Sequence, residues 1–130
     1  MLTNVAARST MRRALEREPL DAVVLRAGST PRISPRYWPW DEAVVALRLA
    51  DALAALTPGT ASPNCLDRAV GRYGLLRALG WDATFVLGAP VNDANGACHA
   101  WVEVGGQPVL DAHTASYVPL LRLPAEPHKP

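Results

Sequence analysis

Three side chains in this 130-residue sequence can do chemistry together: Cys65, His99 and Asp111. A cysteine attacks as its thiolate, and Cys65 stands where a thiolate is favoured. It opens a helical pattern, preceded by Ser62, Pro63 and Asn64 as candidate N-cap groups. The first N–H groups of a helix have no partner within it, and with the helix dipole they stabilise negative charge there. His99 and Asp111 lie on the two arms of a predicted hairpin about Gly105-Gly106. Across such a hairpin a carboxylate can bond one imidazole nitrogen and leave the other to face a thiol. Spacing alone leaves blander roles open: Cys65 a small buried hydrophobe, His99 a satisfied core histidine, Asp111 a turn or cap residue.

The hairpin register discriminates between these roles. If Gly105 and Gly106 alone form the turn, Val104 pairs with Gln107, and Asp111 falls opposite Ala100, on the other face from His99. A three-residue turn, Val104-Gly105-Gly106, pairs Glu103 with Gln107 and sets His99 across from Asp111, with Gly106 supplying the left-handed position. A shared site therefore predicts the three-residue turn or an equivalent change of parity.

The elements that must position these residues follow from periodicity. The first 18 residues read as a helix ended near Pro19, and Leu20–Arg26 (LDAVVLR) as a short strand. Residues 29–40, STPRISPRYWPW, carry three prolines and read as a loop, whose Trp38 and Trp40 either fold back over a core edge or offer a binding surface. Asp41–Leu56 is the clearest helix, acidic in its first turn, with a polar stripe of Asp41, Arg48 and Asp51 and the remainder apolar enough for burial on most sides. After the breaker-rich TPGTASPN, Leu66, Ala69, Val70, Tyr73, Leu76 and Leu79 recur at helical spacing from Cys65 to a stop at Gly80. Ala83–Leu87 reads as a strand, GAPVNDANGA as a loop, and His99–Val104 and Gln107–Asp111 as the hairpin strands, with Pro108 marking an edge. The last dozen residues, with four prolines, read as a loosely held tail.

Composition bounds the rest. The chain is one domain's worth of protein, and its 49% hydrophobic content, rich in Ala, Leu and Val, suffices for an aliphatic core without metal or disulfide staples. A net charge of +1 argues against a nucleic-acid or anionic-membrane partner, and the early Arg8, Arg12, Arg13 and Arg17 are interleaved with Glu16 and Glu18. The apolar run Ala43–Leu56 is only about 14 residues and contains Arg48 and Asp51, too short and too charged to span a bilayer. The opening MLTNVAARSTMRRALE lacks the apolar region of an export signal, so a reducing cytoplasm and free thiols are expected.

Other candidates receive plainer roles. Cys98 is expected as a buried free thiol, and the set Cys65, Cys98, His99 and His113 lacks CxxC or HxxxH spacing, so no metal or cofactor is expected. His128 sits in the tail and has no motif around it. Trp101 either shields the site from water or packs on the Cys65 helix. Glu103 and Gln107 are expected to be solvated, and Arg68 and Arg72 to be surface charges.

The stretch CLDRAVGRYGLLRALGWDATFVLGAP, followed by HAWVEVGGQPVLD, resembles the peptidase domain of lasso-peptide biosynthesis proteins. That family resembles transglutaminases in fold, and places Cys at a helix start, His in an HAWVE-type strand and Asp on the next strand. The match covers residues 63–111, with Cys65 in CLDRA, His99 in HAWVEV and Asp111 in PVLD; Gly88–Ala97 matches no family pattern. The resemblance implies an α+β, transglutaminase-like fold with a papain-like cysteine peptidase core: N-terminal helices on a small antiparallel sheet, the nucleophile at a helix N-terminus. One domain over 1–130 is expected, divided into a helical and loop part (1–60), a catalytic core (61–118) and a tail (119–130). The implied activity is a Cys-His-Asp peptidase that removes the leader from a lasso-peptide precursor through a thioester. The implied partners are the precursor, a separate leader-recognition protein and an ATP-dependent macrocyclase. Transglutaminase-like acyl transfer to an amine, or a non-enzymatic partner-binding module, would use the same residues.

Overall fold

The computed structural model describes residues 19–29, 38–56, 65–92, 97–112 and 114–124. The helix expected over the first 18 residues, the candidate caps at 62–64, His113 and His128 lie outside them. Helix α1 spans Leu20–Gly28, where a strand was expected over Leu20–Arg26. The apolar run was too short to separate the two periods. Helical spacing decides it by gathering Val23, Val24 and Ala27 into one buried stripe, with Asp21 in the first turn and Arg26 in the last.

Helix α2, Trp40–Leu56, buries Ala43, Ala46, Leu47, Ala50 and Ala54. Burial on most sides is not observed: Val45, Leu49 and Leu56 are exposed. Alanine on the inward stripe lets this helix approach closely, so one face suffices to seat it. Trp38 and Trp40 fold back over the core edge. The Trp81 indole donates to the Trp38 carbonyl at 2.8 Å, and the Trp40 and Trp81 rings meet edge-on at 5.0 Å.

Helix α3, Cys65–Ala78, begins at the expected residue. It ends in a Schellman cap. Gly80, at φ 93, donates to Arg77 O, and Trp81 N donates to Leu76 O at 2.9 Å. Helices α1 and α3 touch where side chains are smallest. A Cβ on Gly28 would lie 2.7 Å from the Tyr73 ring and hydroxyl, and one on Gly74 would lie 3.3 Å from Ala27 O. That close approach leaves the Tyr73 phenol buried, and burial raises its pKa above the ordinary 10.0.

Strands β1 (Ala83–Pro90), β2 (His99–Val104), β3 (Gln107–Pro108) and β4 (Tyr117–Leu123) form one antiparallel sheet in the order β3-β2-β1-β4. A short 3₁₀ turn, Thr114–Ser116, precedes β4. Residues 119–123 of what reads as a proline-rich tail are therefore part of an edge strand, and 125–130 lie outside the described residues. Pro119 is accommodated there because an edge position needs no second ladder bond, and the register shifts beside it at Leu87/Gly88. The sheet's inner face, with Ala83, Phe85, Ala100, Val102 and Leu123, joins the buried stripes of all three described helices in one core. The fold is α+β: helices against one face of a small antiparallel sheet.

Candidate active site

The β2–β3 hairpin has the two-residue turn: Val104 pairs with Gln107 and Glu103 with Pro108, with Gly105 and Gly106 at φ 60 and 78. Both central residues are left-handed, which matches the twist of the strands, so the expected three-residue turn does not form. The parity change comes later. Val109 N still donates to Val102 O at 2.9 Å, in register. Leu110 then adopts φ 53, the one positive φ outside glycine among the described residues, and the strand does not continue to Asp111 as expected. Continued pairing would have set Asp111 opposite Ala100. The left-handed residue breaks the alternation, and Asp111 Oδ2 lies 2.5 Å from His99 Nε2.

Cys65, at the first position of α3, lines the same cavity of about 330 Å³ as His99 and Asp111, together with Arg68, Arg72 and Trp101. All three predicted residues thus meet at one site. Cys65 is half-buried, and the His99 and Asp111 side chains keep only 21% and 11% of their surface exposed. Such an arrangement suits nucleophilic chemistry. A thiol sits at a helix N-terminus, and an imidazole has one nitrogen committed to a carboxylate and the other left for a reacting proton. Cys98 is exposed and precedes β2 rather than lying in it, which corrects the expected buried thiol.

The pattern His99-x-Trp101-x-Glu103 has a physical basis. Strand alternation puts the three side chains on one face. The Trp101 ring stacks on His99 at 5.7 Å between centroids, and its indole N–H donates to Glu103 Oε2 at 2.9 Å. Arg122 of β4 donates to the other Glu103 oxygen at 2.5 Å, and Tyr117 brings a ring to 5.0 Å from His99. Glu103 is accordingly buried, where solvation was expected; a carboxylate tolerates burial when both oxygens are bonded. The period-2 spacing from His99 carried the signal for its role. Tyr117 and Arg122 had none, because their strand did not read as one.

Arg72 is the second correction. Its side chain is only 13% exposed; Nε and Nη2 bond Asp51 Oδ2 at 3.0 and 2.8 Å, and Nη1 reaches the Val109 and Leu110 carbonyls. Its place two turns after Cys65, on the side of α3 that lines the cavity, was the available clue. Arg68 is exposed at the cavity rim, as a surface charge should be.

No helix among the described residues is long and apolar enough to cross a membrane. Searches of curated proteins and of solved structures found no match to the chain. A model of the transglutaminase-like superfamily, whose domains are commonly cysteine peptidases or acyltransferases, matches residues 2–122, and the chain belongs to that superfamily.

Proposed function

We propose that this protein is a cysteine peptidase that cuts the leader from a lasso-peptide precursor, with Cys65 as nucleophile, His99 as acid–base and Asp111 as the group that orients His99. The observation that carries the reading is the His99–Asp111 contact beside the cavity that Cys65 lines. The choice of substrate rests on the motifs CLDRA, HAWVEV and PVLD in that order, with Cys65 at a helix start, His99 on a strand and Asp111 just past the next strand.

The Cys65 thiolate attacks the carbonyl carbon of the leader–core bond, while the Cys65 backbone N–H, at the helix start, faces the developing oxyanion. The imidazolium of His99 gives its proton to the core's nitrogen. The C–N bond breaks, the core leaves with a free amine, and the leader is held as a thioester. Neutral His99 then takes a proton from water. The hydroxide displaces the thiolate, releasing the leader as a carboxylic acid and restoring the imidazolium. Asp111, bonded to Nε2, fixes the ring and stabilises its cation, so Nδ1 handles the reacting proton. The same motif resemblance carries the partners: a separate leader-recognition protein supplies the precursor, and an ATP-dependent macrocyclase uses the freed amine. A free-thiol nucleophile and a ribosomally made substrate would both fit a reducing cytoplasm.

The test is mass spectrometry of the precursor after incubation with this protein and its leader-binding partner, beside Cys65→Ala. A single cut at the leader–core junction, lost in the variant, is expected. A leader product carrying an added amine would mean acyl transfer instead. An intact precursor, with a folded protein and a partner shown to bind leader, would refute the peptidase assignment.

A further inference from the structure

The Asp111 carboxylate reaches His99 only because the chain turns at Leu110, and that turn is intrinsically unfavourable. A left-handed conformation brings a non-glycine Cβ too close to the following carbonyl oxygen, so it persists only where its surroundings impose it. Leu110 packs partly against the core, which holds its side chain. Its backbone is met by a single guanidinium: Arg72 Nη1 lies 3.5 Å from the Val109 carbonyl and 3.4 Å from the Leu110 carbonyl, the two acceptors that flank the reversal. The opposite edge of the same guanidinium is fastened to Asp51 of α2 by two bonds, at 3.0 and 2.8 Å, and the side chain is 13% exposed. A planar fork with five donors can hold a carboxylate on one edge and two carbonyls on the other, a span that the compact ammonium of a lysine does not have.

We propose that Arg72 is a positioning residue for the site. It ties α2 to the Leu110 turn and thereby holds Asp111 on His99, while the same helix, two turns earlier, presents Cys65. The inference rests on the Cys65–His99–Asp111 reading above, but not on the identity of the peptide cut. Arg72 acts through Asp111 and touches no reacting atom.

The experiment measures the rate of Cys65 alkylation by iodoacetamide, which needs no substrate. It uses the full chain carrying Cys98→Ser to remove the exposed second thiol. Wild-type Arg72 is compared with Arg72→Lys, which keeps a charge for Asp51, and with Arg72→Gln, each read below the thermal transition of every variant. Asp111→Ala and the Arg72/Asp111 double variants complete a cycle. Loss of the clamp is expected to slow alkylation about as much as loss of Asp111, on the order of tenfold. Arg72→Lys is expected to add less than about twofold in the Asp111→Ala background, the signature of two residues acting as one unit. Full additivity, or an Arg72→Lys rate equal to wild type while Asp111→Ala is slow, would overturn the role of Arg72 and leave the triad standing. Alkylation of Cys65 that neither His99→Ala nor Asp111→Ala changes would instead overturn the triad, and the clamp with it.

Discussion

Gly88 sits opposite His99 in the β1–β2 ladder, and the Trp101 ring lies against it. A Cβ added at residue 88 would stand 2.8 Å from Trp101 Cη2 and Cζ3 and 3.1 Å from Tyr117 Cβ. Ordinary carbon contacts begin near 3.4 Å, so the indole must retreat by roughly 0.6 Å. It is poorly placed to do so. Trp101 is 3% exposed, and its N–H is fixed to Glu103 Oε2 at 2.9 Å. Gly88 has no left-handed φ, so alanine fits the backbone and should by itself add about 0.4–1 kcal/mol of stability through the unfolded chain. Overpacking costs about 1–3 kcal/mol, and breaking the indole bond adds about 1 kcal/mol. Gly88→Ala should therefore destabilise by a net of about 1–4 kcal/mol, read as a lower urea midpoint at unchanged m-value. Because the displaced indole is the stacking partner of His99, Cys65 alkylation should slow in the folded variant. A midpoint equal to or above wild type, with unchanged alkylation, would refute the claim that Trp101 seats His99 against the Gly88 backbone.

Two further expectations follow from the same packing. Glu103→Ala orphans the buried Trp101 N–H and releases Arg122, costing about 2–3 kcal/mol by urea unfolding; most of it is the indole, since the Arg122 side chain is 43% exposed and its ion pair is screened. Glu103→Gln, which can still accept from Trp101, should cost about 1 kcal/mol, and equal losses for the two variants would show that the indole bond contributes nothing. Burial raises the Tyr73 pKa, with Arg77 opposing and Asp82 adding to the rise, so the neutral phenol favours the fold. That contribution is present below pH 10.0, the unfolded value, and is lost as pH climbs through the raised folded value. Wild type should thus lose stability relative to Tyr73→Phe only above about pH 10, and parallel pH profiles would contradict it.

What was legible in the sequence was written within a turn or two of chain. The start of α3 at Cys65, its stop at Gly80, the bounds of β2 and the edge character of Pro108 each depend on neighbours a few residues away. The alternation that places His99, Trp101 and Glu103 on one face is equally local. Ambiguity began where local signals were balanced: LDAVVLR fits a strand or a helix, and only packing against Tyr73 and Gly74 of α3 selects the helix. A proline-bearing segment likewise becomes β4 only because β1 offers it an edge. The meeting of Asp111 with His99 was decided entirely by tertiary structure. The glycine turn makes a two-residue hairpin, which by itself sends the carboxylate to the wrong face. The reversal at Leu110 corrects it, and is met by Arg72 from 38 residues earlier and, through it, by Asp51. Local preference opposes a left-handed leucine, so no window of sequence around Asp111 could predict it; only contacts distant along the chain hold it there.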